Sequence, residues 1–119
     1  MQKFPVLQTP RLILTQFKME DAPRVKILAN DKDIATNTQN LPHPYEEYMA
    51  RRWISLHQEM LDNNDMLNLA IRVRKTNELI GAIGLDFDHK NDCAELGYWL
   101  GRPYWGLGYA TEASRRLLH

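Results

Sequence analysis

The sequence has a single cysteine, Cys93, so no disulfide framework can form within the chain. Charge of one sign is lacking too. Fifteen Lys and Arg balance fifteen Asp and Glu, for a formal net charge of +0. That balance excludes a general electrostatic attraction to nucleic acid or to an anionic membrane, and neither partner is expected. No stretch approaches about 18 consecutive apolar residues, and the N-terminal residues show no apolar h-region. The expected location is the cytoplasm. Histidines are few, at 43, 57, 89 and 119. None has metal-ligand spacing, so all four are read as surface residues and no metal site is expected. Cys93 reads as a small buried or half-buried strand residue, not a catalytic thiol.

What remains is an ordinary globular composition, 44% hydrophobic and 25% charged over 119 residues, which bounds the chain at one domain, residues 1–119. Alternation around Leu12, Leu14 and Gln16 predicts a strand over about 10–17. Met19-Glu20-Asp21-Ala22-Pro23 then reads as a helix start, with Val25, Leu28 and Ala29 as its apolar stripe. Residues 37–44 read as a loop. Tyr48, Met49, Arg52, Trp53, Leu56 and Met60 recur at helical spacing, predicting one helix over 45–61. Leu67, Leu69, Ile71 and Val73 alternate with polar or small residues, as in a half-buried strand. Residues 79–87 should return antiparallel to it, 93–100 form a further strand, and a helix begins at Trp105 or Gly106. Leu107, Ala110, Ser114 and Leu117 would mark the inward face of that helix. The order β-α-α-β-β-β-α argues an α+β fold with a largely antiparallel sheet.

The segment with most chemical content is Ala94-Glu-Leu-Gly-Tyr-Trp-Leu-Gly-Arg-Pro-Tyr-Trp-Gly-Leu-Gly-Tyr-Ala-Thr-Glu-Ala113. A strand, a glycine turn and a helix start gather backbone N–H groups at an open helix N-terminus, where an anion can dock. The glycine pair alone is a weak signal. A dinucleotide fingerprint would need a third glycine where Thr111 stands, and a Walker A loop would need Gly-Lys-Ser/Thr. A turn that merely requires permissive dihedrals is an equal reading at this point.

Glu95 to Leu100 followed by Pro103 to Ala113 closely resembles motif A of the GNAT acetyltransferases, in the Rim-type group that acetylates ribosomal-protein N-termini. Leu7-Gln-Thr-Pro-Arg-Leu-Ile-Leu14 is similar to that group's first strand, and Leu79-Ile-Gly-Ala-Ile-Gly-Leu85 to its third. The resemblance implies a GNAT fold and transfer of an acetyl group from acetyl-CoA, as co-substrate, to a primary amine on a protein N-terminus or a small molecule. It also implies that the pyrophosphate rests on the amides of Tyr104, Trp105, Gly106, Leu107, Gly108 and Tyr109. The pantetheine arm would pair with Tyr98, Trp99 and Leu100, and the N–H of Leu100 would donate to the thioester carbonyl. One of Tyr98 and Trp99 is expected to serve core packing alone. Where the family pattern has Gln or Arg three residues before the first glycine, this chain has Pro103.

Glu95 is the candidate base, weighed equally against a solvated strand carboxylate. Glu112 is expected to be solvated or to cap. Gly97 is expected to mark a bulge, and residues 37–45 to wall the acceptor site. The family normally continues past this helix with a strand that completes the pantetheine cleft and with a Tyr or Ser acid. The chain is therefore expected to be a C-terminally truncated domain whose Leu100 strand keeps an exposed edge, open to homodimer formation. The alternative function is a non-catalytic acyl-CoA-binding or self-associating remnant.

Overall fold

The computed structural model describes residues 1–30, 35–36 and 46–118. Two short strands, β1 (Leu7–Gln8) and β2 (Leu12–Thr15), precede α1 (Ala22–Ala29), β3 (Ala35–Thr36), α2 (Glu47–Ser55) and α3 (His57–Asp62). Strands β4 (Met66–Val73), β5 (Leu79–Asp88) and β6 (Cys93–Leu100) follow, and α4 (Tyr109–Leu118) is the last element. The six strands form one sheet in the order β1-β2-β4-β5-β6-β3, and every neighbouring pair is antiparallel. This is the α+β arrangement expected. The 37–45 segment, His43 and His119 lie outside the described residues.

Strand alternation divides the core between the two faces of the sheet. Ala70, Leu79, Ala82 and Trp99 pack with Val25 and Leu28 of α1 and with Ala50 and Ile54 of α2. Leu69, Ile71, Ile80, Ile83 and Leu100 pack on the other face with Leu12, Leu14 and Ala113 of α4. The expected half-buried β4 is thus corrected: its polar-looking face, Asn68, Ala70 and Arg72, is buried as well. Arg72 can be buried because Nη2 meets Asp21 Oδ2 at 2.6 Å, while the N–H of Lys18 donates to the same oxygen at 2.8 Å. A buried pair broken by removing one partner costs about 3–5 kcal/mol, so this contact pins the entry of α1 to β4.

Other expectations shift for local reasons. The strand expected over 10–17 is shorter, Leu12–Thr15, and a separate strand Leu7–Gln8 precedes it, because Thr9 N–H turns back to the Leu12 carbonyl (2.9 Å) and Pro10 has no N–H to offer a ladder. The 45–61 helix is broken at Leu56, which rotates His57 and Leu61 inward. Cys93 is exposed, since β6 begins at a polar turn beyond the helices' cover. Gly97 is no bulge: the β5–β6 register runs unbroken from Asp88–Cys93 to Gly81–Leu100, and the one irregularity lies between Ile71 and Arg72. Gly97 instead faces Gly84, where a Cβ would come within 2.2 Å of the Leu67 carbonyl oxygen. The expected free edge of β6 is filled at its end, because β3 pairs Ala35 with Leu100 and Thr36 with Trp99. No helix among the described residues is long and apolar enough to cross a membrane.

His57 is the largest departure from expectation. It is 2% exposed, not superficial. Its ring stands edge-on to Trp53 (4.4 Å between centroids) and Phe17 (5.4 Å), and neither ring nitrogen has a hydrogen-bond partner. His89, by contrast, is exposed, with Nε2 2.6 Å from the Asn64 carbonyl oxygen. Burial lowers the His57 pKa from 6.5 to about 4. The unfolded chain then binds more protons than the folded one between those values. Stability is full above about pH 6.5 and falls as pH drops toward 4, by at most about 1.4 kcal/mol per pH unit. Urea unfolding at pH 7.5 and 5.0 should show this loss, and His57→Phe should remove most of the difference. An equal pH dependence in the variant would refute the assignment.

Candidate active site

The turn between β6 and α4 is built in two parts. Residues Arg102–Tyr104 form a 3-10 turn with Pro103 in its first positions, where a fixed φ and a missing N–H cost nothing. Its i→i+3 bonds use the N–H of Tyr104 on the Gly101 carbonyl (3.0 Å) and the N–H of Trp105 on Arg102 (3.2 Å). Two of the six amides expected to hold a pyrophosphate are therefore engaged within the turn itself. The second part is Gly106-Leu107-Gly108, with Gly106 at φ +76 and Gly108 at φ +82, the left-handed region that favours glycine. A Cβ built on Gly106 would meet nothing within 4 Å, so the turn opens onto free space. Leu107, assigned to the helix face, sits in this turn with its side chain half exposed.

The α4 ladder begins with Glu112 donating to the Gly108 carbonyl (3.0 Å). The N–H groups of Tyr109, Ala110 and Thr111 precede that ladder, and those of Gly106, Leu107 and Gly108 have no backbone acceptor among the described residues. These amides surround a helix N-terminus that carries about half a positive charge. The residues present fit an anionic group such as a pyrophosphate. Of the six amides expected to take part, those of Tyr104 and Trp105 make hydrogen bonds inside the turn, and the N–H groups of Ala110 and Thr111 lie next to the other four.

Side-chain contacts on two sides hold the turn in place. Arg11, on the bend between β1 and β2, directs Nε to Glu112 Oε1 (2.7 Å) and Nη1 to the Leu107 carbonyl (2.8 Å). Its guanidinium carbon lies 4.5 Å from the centroid of the Tyr109 ring, a cation–π contact. The other Glu112 oxygen accepts the Arg11 N–H (2.9 Å) and the Thr9 hydroxyl. Glu112 is therefore an anchor, not a solvated carboxylate. Burial works to raise its pKa, but the hydrogen bonds from Thr9 and Arg11 and the arginine charge together hold it below the usual carboxylate value. On the other side, Tyr104 is tied by its hydroxyl to Arg24 Nη2 (2.9 Å) and Glu78 Oε1 (2.5 Å), and Arg24 Nε also donates to the Leu79 carbonyl (3.1 Å). Burial and the Glu78 bond raise the Tyr104 pKa above its ordinary value.

The end of β6 supplies the remaining expected groups. Gly101 N–H donates to the Ile80 carbonyl (2.9 Å), toward β5, so strand alternation turns the N–H of Leu100 to the opposite edge, where β3 lies. The Leu100 carbonyl on that edge accepts Trp105 Nε1 (2.9 Å). Trp99 is buried between the sheet and α2, 6.4 Å from Trp53, and is the member of the Tyr98–Trp99 pair committed to packing. Tyr98 is half-buried on the α4 face.

Glu95 is exposed on β6, opposite Asp86. It stands five residues before Leu100, about 16 Å along an extended strand. The structure therefore gathers Leu100, Trp105 and the glycine turn in one place but leaves Glu95 apart from them. Thr9 and Arg11 were missed as site residues. They sit 103 and 101 residues from Glu112 in sequence, and no periodicity links positions so far apart.

Comparison with known proteins agrees with this architecture. The acetyltransferase (GNAT) domain family matches residues 11–119. A Bacillus licheniformis protein, the uncharacterized N-acetyltransferase p20, is 33% identical over 113 residues, covering 94% of this chain and 63% of its own length. The chain thus spans less than two thirds of that relative. Among solved structures, a Vibrio cholerae protein provisionally assigned as a ribosomal-protein-serine acetyltransferase superposes with a TM-score of 0.80 at 22% identity, over 99% of this chain and 67% of that one. RimL, the ribosomal L7/L12 alpha-N-protein acetyltransferase, solved in complex with coenzyme A, superposes at 0.78 with 18% identity, over 96% of this chain and 66% of its own. These likenesses at low identity establish the shared fold, and the family match over residues 11–119 establishes that the chain belongs to the GNAT acetyltransferase domain family.

Proposed function

We propose that this chain binds acetyl-CoA through the Gly106–Gly108 turn and belongs to an enzyme that acetylates a primary amine, on a protein N-terminus or a small molecule. The observation that carries the reading is the open turn: its Gly106, Leu107 and Gly108 amides have no backbone acceptor among the described residues, and a Cβ at Gly106 would meet nothing within 4 Å. Gly106, Leu107, Gly108, Tyr109, Ala110 and Thr111 would hold the pyrophosphate by their N–H groups. RimL, of similar fold, has been solved with coenzyme A.

Acetyl-CoA supplies the acetyl group as an activated thioester. The chain's part is to orient it and to stabilise charge. The Leu100 N–H lies on the outer edge of β6 and would donate where negative charge develops on the carbonyl oxygen. Its carbonyl accepts Trp105 Nε1, which holds the adjoining Leu100–Gly101 peptide plane in place. A pantetheine arm paired at this edge would take the place beside Trp99 and Leu100 now held by β3. The same occupancy argues against a homodimer through this part of the edge. Glu95 acts at most at a distance, on an amine or water well removed from Leu100.

Calorimetric titration with acetyl-CoA tests the placement. The unaltered chain should bind, and Gly108→Asp should weaken binding at least about tenfold, because a carboxylate would sit at the helix mouth. Unchanged affinity would overturn the site.

A thiol-release assay with candidate amines tests the chemistry. Release supports transfer, whereas binding without release supports the non-catalytic alternative, and no binding counts against both. In an active preparation Glu95→Gln should lower kcat by less than about tenfold. A loss of roughly 10²–10⁴ would instead make Glu95 the general base.

A further inference from the structure

We infer that Arg11 is a second recognition element of the glycine turn: it fixes the turn's shape and presents one guanidinium nitrogen to a phosphate oxygen of the bound nucleotide. This rests on the proposed acetyl-CoA site and adds a side-chain cation to what is otherwise a backbone cradle.

Three facts lead to it. First, two guanidinium nitrogens are spent on the protein, Nε on Glu112 and Nη1 on the Leu107 carbonyl. The third, Nη2, donates to nothing among the described residues and lies 3.3 Å from the Cβ position of Gly108. A charged donor with spare hydrogens is thus held at the turn whose Gly106, Leu107 and Gly108 amides have no backbone acceptor among the described residues. Second, the geometry is fixed before any ligand arrives. A planar fork that already grips a carboxylate and a carbonyl, and stacks on Tyr109, has little rotamer freedom left to lose. The side chain is nonetheless 45% exposed, so its remaining face reaches solvent.

Third, the charge balance at the helix mouth favours it. Glu112 places a carboxylate in the first turn of α4, close to where a phosphate would dock. Unpaired, that carboxylate would oppose the helix dipole and repel the ligand. Arg11 neutralises it at 2.7 Å and leaves the amides of the turn as the dominant field. The arginine thereby removes a repulsion and adds a donor. A lysine could supply the charge but not three bonds in one plane.

The test compares acetyl-CoA affinity and its salt dependence in the unaltered chain and in Arg11→Gln. The variant should bind at least tenfold more weakly, and the slope of log Kd against log salt should flatten, because one cation–phosphate contact is gone. In the active enzyme, KM for acetyl-CoA should rise while kcat stays within about twofold. Weaker binding with an unchanged salt slope would reduce Arg11 to a purely structural strut and overturn the phosphate contact. Equal affinity would overturn both roles.

Because Arg11→Gln removes the Glu112 anchor on which folding can depend, the unaltered chain carries an independent measurement. The Arg11 side-chain nitrogen NMR signals should shift on titration with coenzyme A and stay in place with pantetheine, which lacks the pyrophosphate. No shift with coenzyme A, in a chain that binds it, would overturn the inference. Failure of the unaltered chain to bind at all would overturn the acetyl-CoA reading itself.

Discussion

The carboxylate of Glu112 is the contact on which the site depends. It sits in the first turn of the last helix and accepts hydrogen bonds from Thr9 and Arg11, near the start of the chain. Through Arg11 the same contact reaches the Leu107 carbonyl and the Tyr109 ring. The glycine turn is therefore braced from outside. Left to itself it would be a flexible segment with two residues at positive φ. The brace explains how a turn can be both conformationally permissive and fixed: the glycines allow the shape, and the arginine selects it.

The sheet supplies the frame for that brace. Its faces are covered by different helices, α1 and α2 on one and α4 on the other, so β4 and β5 are buried on both sides. A frame buried in this way tolerates polar residues only where they are paired. Arg72 meets that condition through Asp21, but His57 does not. The imidazole is held by packing against Trp53 and Phe17 and stays neutral, a small aromatic filler whose polar edges were set aside.

How much of this was legible in the sequence follows the range of the interactions. The strands β4, β5 and β6 were readable because alternation is a local signal that burial on at least one face imposes. The glycine turn was readable because positive φ demands a particular residue at a particular place. What could not be read were the outcomes of contacts between distant segments. Beyond the break at Leu56, His57 meets Phe17, 40 residues away in the numbering. Asn68 and Arg72 looked solvent-facing until a helix layer covered them. Likewise, the Tyr104 and Trp105 amides looked available until Pro103 set a 3-10 turn that used them. Glu95 was open to two readings, a base or a solvated strand carboxylate, because residue type alone does not say what stands beside a side chain on a strand.

The brace between Arg11 and Glu112 also bears on how the molecule acquires its site. The loop it closes spans 101 residues, nearly the whole chain. Contacts of such separation are slow to form, because the entropy of closing the loop is lost before the contact rewards it. The β4–β5 hairpin needs only neighbouring residues and can assemble early. The turn at Gly106–Gly108 can be braced only after residue 112 has been synthesised and the two distant segments have met. Nucleotide affinity would then report completed folding, separating chains that have closed on themselves from those that hold native hairpins alone.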